Sequence, residues 1–114
     1  MTDPHIFEAN LEDFEQTVIA ASHQTPLLVD FWADWCGPCH AVAPALKSVI
    51  ADREGEIRLA KVEVDEGENM KLAGRYAVRG FPTVMLLVNG EEVSRFAGAK
   101  PAHWIDQWID ESLA

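Results

Sequence analysis

Apolar and polar positions follow two rhythms along this chain, one near every second residue and one near every third or fourth, and the switches between them mark out its elements. Residues 4–8 read as a short edge strand. Asn10 stands where a helix N-cap belongs, with Asp13 one turn on and Leu11, Phe14 and Val18 at helical spacing; this predicts a helix as far as Ser22. Residues 23–26 are a loop. Leu27 to Ala33 is a continuous apolar run broken by Asp30, the pattern of a central strand buried on both faces. A helix to about Asp52 follows, with Val42, Leu46, Val49 and Ile50 on its inward side. Pro44 removes one of its backbone hydrogen bonds and is expected to kink it. Residues 57–64 read as another strand, so residues 27–64 make a right-handed parallel βαβ unit. A short helix over 68–76, a loop over 77–82 and a strand from Thr83 to Val88 come next. Asn89-Gly90 is a hairpin turn that returns Glu91 to Ala97 as an antiparallel edge strand. Pro101 opens a last helix whose stripe of Trp104, Ile105, Trp108 and Ile109 packs on the sheet. The order predicts an α/β fold with helices on both faces of a mixed sheet.

Composition narrows what such a fold does. A chain of 114 residues is expected to form a single domain over 1–114, and 48% hydrophobic with 25% charged residues is the make-up of a folded globule. A net charge of −10 disfavours nucleic acid and anionic membranes as partners. No apolar run approaches the ~18 residues of a membrane span, and no basic segment followed by an apolar core opens the chain. The reading is therefore cytoplasmic, where thiols stay reduced and a cysteine pair serves redox chemistry, sensing or metal binding.

The two cysteines, Cys36 and Cys39, stand three apart at the start of the second predicted helix. Sulfurs one helical turn apart can close a small disulfide ring and reopen it, and a helix N-terminus stabilises a thiolate. On these grounds Cys36 is expected to be exposed and to act as the nucleophile, with Cys39 one turn inside as the resolving residue. Two other chemistries share the spacing. Cys36-Gly37-Pro38-Cys39-His40 fits the pattern of c-type haem attachment, which also needs export and a second axial ligand. Zinc would need a second ligand pair, and His5, His23, His40 and His103 are scattered. Alone, the pair stays open among redox, haem and metal.

Neighbouring residues narrow that choice. Asp30 is a carboxylate in a buried run, where burial raises its pKa and makes it a proton acceptor near neutral pH. Lys61, on the adjacent strand, is its expected partner, or else a lysine whose stem lies along the surface. His40 either changes charge near neutral pH and modulates the dithiol or is a solvated helix residue. Trp32 either fills core space or shapes the site.

Val29-Asp30-Phe31-Trp32-Ala33-Asp34-Trp35-Cys36-Gly37-Pro38-Cys39 resembles the active-site signature of the thioredoxin family, and Gly80-Phe81-Pro82-Thr83 resembles that family's cis-proline loop. Lys61, Asp65, Gly90 and Gly98 fall where the family pattern places them, so the resemblance covers nearly the whole chain. It implies the thioredoxin fold, a central mixed five-stranded sheet flanked by four helices. It implies a protein-disulfide reductase with no bound cofactor, working as a monomer on disulfide-containing client proteins and regenerated by thioredoxin reductase. By the same resemblance Asp30 acts on Cys39, Gly37 and Pro38 tune the redox potential, and Arg79, Gly80, Phe81 and Pro82 pair with substrate. Trp35, Pro38, Val78, Phe81, Ala97 and Gly98 would form an apolar docking rim around the exposed sulfur. Phe81 and His40 depart from the commoner residues of the family. A thiol oxidase or isomerase on the same fold, or a binding module using the rim without redox chemistry, remain the alternatives.

Overall fold

The computed structural model describes residues 3–114. Its five strands are β1 (Ile6–Glu8), β2 (Leu27–Trp32), β3 (Arg58–Glu63), β4 (Thr83–Val88) and β5 (Glu91–Ala97), and its α-helices are α1 (Gly37–Arg53), α2 (Met70–Arg75) and α3 (Ala102–Leu113). The strands form one mixed sheet in the order β1-β3-β2-β4-β5. β2 lies parallel to β3 with Asp30 opposite Lys61, and antiparallel to β4 with Asp30 opposite Val84.

β2 is central because it is apolar on both faces. Leu27, Val29 and Phe31 point into one core with Phe14, Val18, Leu72 and Met85. Leu28 points into the other, with Leu46 and Ile50 of α1, Val84 and Leu86 of β4, and Ile105 and Ile109 of α3. Each such buried side chain contributes roughly 1.5–3 kcal/mol of transfer free energy before the entropy of ordering is set against it. Arg53 joins the two helices of the second core, its guanidinium 3.1 Å from Asp106 and 3.0 Å from Asp110. The Asn89-Gly90 turn has the positive φ at both residues that this hairpin requires, 53° and 81°.

The expected first helix is not a regular one, so the sheet is flanked by three α-helices and a mixed helical segment instead of four. Residues Leu11–Asp13 and Ala21–His23 are 3-10 turns around a π-helical turn at Glu15–Ile19. Asp13 bonds the Asn10 N–H at 2.8 Å, as a capping pair should. Asn10 is the N-cap of the first turn, and its side chain also accepts from Asn69 at 2.9 Å. Thr17, Val18 and Ile19 are consecutive β-branched residues that resist the α conformation, and the Thr17 and Ser22 hydroxyls donate to the Asp13 and Ile19 carbonyls. Buried Asn69 holds the segment down by accepting the Leu11 N–H at 2.8 Å, a contact across 58 residues.

Candidate active site

Cys36 ends the turn after β2 in an extended conformation (φ −92°, ψ 109°) and is the N-cap of α1. Its Sγ accepts the Cys39 N–H at 3.2 Å. Pro38 lies in the first helical turn, where its missing N–H leaves no gap in the hydrogen-bond ladder. Cys36 and Cys39 are joined as a disulfide with their Cα atoms 5.3 Å apart.

The expected exposure of Cys36 is corrected by the fold: the residue is 5% exposed and Cys39 3%. Bonded to Cys39, the Cys36 sulfur is turned inward and lies 3.5 Å from the carbonyl oxygen of Phe81, brought from 45 residues away. Phe81 and Pro82 are joined by a cis peptide bond. The loop is closed by Thr83 Oγ1 donating to Gly80 at 2.7 Å, and Gly98 N donates to the Pro82 carbonyl at 2.9 Å. That last contact brings the end of β5, Ala97 and Gly98, beside the proline loop. Val78 and Phe81 pack against the cluster that holds both cysteines, whereas Arg79 and Gly80 are exposed on the same loop. Trp35, next to Cys36 in the chain, is 68% exposed and edge-on to Phe81 at 6.0 Å, and its indole N–H donates to Asp65 at 2.7 Å. Asp65 follows β3, which places it beside the loop that follows the adjacent β2.

By strand alternation Asp30 lies on the same side of β2 as Leu28 and Trp32, whose ring meets His40 of α1, and it is 1% exposed. Neither carboxylate oxygen has a hydrogen-bond partner within the protein. Burial pushes its pKa up to about 7, against the opposing pull of the Lys61 charge. Lys61 acts on Asp30 through space only, because its Nζ lies over the Trp32 ring, 4.7 Å from the centroid. His40 is exposed, its Nε2 2.7 Å from the Asp34 carbonyl oxygen and 3.8 Å from the Asp34 carboxylate, and its ring stands edge-on to Trp32 at 6.1 Å.

The β2–α1 junction, the loop before β4 and the residue after β5 thus meet at Cys36, Phe81, Pro82 and Gly98, while Asp30 and Lys61 are neighbours on β2 and β3. Two contacts went unread beforehand, Trp35 with Asp65 and Lys61 with Trp32. The parallel register of β2 on β3 carries a signal for the first, since Trp32 pairs with Glu63 just ahead of it.

A family model described as Thioredoxin matches residues 5–111. The chain is 41% identical over 107 residues to a protein named Thioredoxin from Chlorobaculum thiosulfatiphilum, an alignment that covers 94% of this chain and 95% of that one. It is 37% identical over 109 residues to Thioredoxin of Pseudomonas aeruginosa, with 96% and 97% covered. It is also 40% identical over 105 residues to Probable thioredoxin-2 of Caenorhabditis elegans, with 92% and 70% covered. Matched by the family model over residues 5–111 and aligned with these relatives over 92–96% of its own length, the chain belongs to the thioredoxin family and is a thiol–disulfide oxidoreductase.

Proposed function

We propose that the chain reduces client protein disulfides with Cys36 as nucleophile, Cys39 as resolving thiol and Asp30 as proton acceptor. In the reduced form the Cys36 thiolate attacks one sulfur of a client disulfide. A mixed disulfide forms and the client's other sulfur leaves as thiolate. Cys39 then gives its proton to Asp30 and attacks the Cys36 sulfur. The ring closes and the client leaves with both sulfurs reduced, two electrons having passed to it. The N–H of Cys39, which already bonds the Cys36 sulfur, stabilises the attacking thiolate together with the positive end of α1. The observation that carries this reading is the disulfide at the N-cap of α1 with a partnerless carboxylate on the strand that leads into it.

Trp35, Pro38, Val78, Arg79, Gly80, Phe81, Ala97 and Gly98 receive the client, with Gly98 (φ 83°) leaving room for its backbone to approach. Gly37 and Pro38 tune the potential, and Lys61 biases Asp30. The oxidised ring is returned to the dithiol by thioredoxin reductase, a flavoprotein drawing on NADPH. The whole cycle belongs to a monomer of one domain working in the cytoplasm, whose reducing poise keeps client thiols open once released. Among the described residues no helix is long and apolar enough to cross a membrane.

The test is insulin reduction driven by NADPH and thioredoxin reductase. Cys36→Ser should abolish turnover, and Cys39→Ser should accumulate a mixed disulfide that dithiothreitol releases. Full turnover by Cys36→Ser would overturn the assignment.

A further inference from the structure

We propose that Trp32 is a positioning residue for the proton acceptor: its indole face holds the Lys61 ammonium away from the Asp30 carboxylate. The proposal rests on the reading of Asp30 given above and names what governs its proton affinity.

The geometry is a row across the sheet. Glu8, Lys61, Asp30 and Val84 lie side by side on β1, β3, β2 and β4, on the face covered by α1. Opposite charges on directly paired residues should meet, and a lysine stem is long enough to close the gap. They do not meet. Both Asp30 oxygens lack a protein partner, and no ion pair joins Asp30 to Lys61 among the described residues. Trp32, two residues beyond Asp30 on the same face, takes the ammonium instead, 4.7 Å from its ring centroid.

Tryptophan is the strongest of the aromatic faces for a cation, and the attraction grows as the site is desolvated. The other charges around the ammonium are acidic. Glu8, Glu63 and Glu66 line with Lys61 and Asn10 a surface cavity of about 250 Å³. Glu63 is pushed up in pKa, first by burial and then by Glu66, Asp34, Glu8 and Asp65. From α1, His40 stands edge-on to Trp32, and Cys39 titrates only once reduced. From β4 comes only the uncharged Val84. The indole and the acidic rim therefore hold Lys61 at the surface, while Asp30 stays behind it.

The consequence is chemical. A carboxylate in contact with an ammonium loses about 1–3 pH units of proton affinity and is then a poorer base for a thiol. Trp32 thus keeps Asp30 titrating near neutrality without any contact to it.

The test is the titration of Asp30 in the oxidised protein, followed by its side-chain carboxyl carbon chemical shift. Trp32→Leu frees the ammonium and should lower the midpoint by about 1 pH unit. Trp32→Phe, which keeps a weaker aromatic face, should lower it by less. In a Lys61→Met background neither substitution should lower the midpoint. That background separates release of the lysine from simple entry of water, which would lower the midpoint with or without Lys61. If Trp32→Leu does not fold, the Trp32→Phe pair gives the same comparison. An unchanged or raised midpoint in Trp32→Leu, or an equal fall in the Lys61→Met background, would overturn the proposal. Insulin reduction by Asp30→Asn reads the other premise: full rate near neutral pH would remove Asp30 from the reaction while leaving the titration result intact.

Discussion

Removing the charge of Asp30 should make the oxidised protein more stable, and only above acid pH. The carboxyl is 1% exposed, lacks a partner, and titrates at about 7 instead of 3.8. Between those values the folded protein holds a proton that the unfolded chain has released. Stability is therefore greatest below about pH 4 and falls as pH rises through the folded pKa near 7. At about 1.4 kcal/mol per pH unit, the loss amounts to about 4 kcal/mol by about pH 8. Asp30→Asn keeps the shape and removes the titration. Its unfolding free energy minus that of the wild type should climb by about 4 kcal/mol between about pH 4 and about pH 8. In a chain of this size that corresponds to about 15 °C in Tm. Urea unfolding of both oxidised proteins across that range measures it, and other acidic groups cancel in the difference. Any fixed penalty for burying an amide moves the whole curve and leaves its climb untouched. A difference flat to within about 1 kcal/mol would refute the argument, since Asp30 would then be solvated or paired in both states.

Two further outcomes can be read by simpler means. Ala77 occupies the left-handed region at φ 55°, where a Cβ is strained, so Ala77→Gly should stabilise by about 1 kcal/mol; a lower urea midpoint would show that the loop is not held in that conformation. His40→Ala removes the ring contact to the Asp34 carbonyl at 2.7 Å, and should cost about 0.5 kcal/mol with faster amide exchange at Trp35 and Cys36. Unchanged exchange there would mean that His40 does not hold the turn.

Much of the fold was legible because its signals are local. The apolar run at 27–33 fits a strand covered on both faces, and Asn89-Gly90 is a strong hairpin signal. Asp30 stood out because a charge in such a run has no solvent to face. What escaped notice depends on partners distant in sequence. The periodicity of Leu11, Phe14 and Val18 does predict the buried side, but it is blind to Asn69 taking the Asn10 side chain and to three β-branched residues loosening the helix. Cys36 reads as exposed from its place at a helix start, and only the carbonyl of Phe81 and the closed ring reveal that it is covered. Lys61 opposite Asp30 suggests a salt bridge, yet the side chain had a second attractor in Trp32 that pairing rules do not weigh.

Asn69 has a kinetic side. β4 and β5 are joined by a two-residue turn, so they can pair at little cost in loop entropy. β1 must find β3 across some fifty residues, with Ile6 opposite Leu59, and the turn after β1 is secured by a side chain 58 residues away. Contacts that close such long loops cost more chain entropy before they are rewarded. Earlier amide exchange in β1 than in β4 would show that residues 3–23 open by themselves. The cysteine pair, Asp30 and the proline loop all lie within residues 27–98, outside that segment. Yet Phe14 and Val18 of the segment pack in the same core as Phe31 and both cysteines, so any opening of it exposes the core on which the redox pair rests.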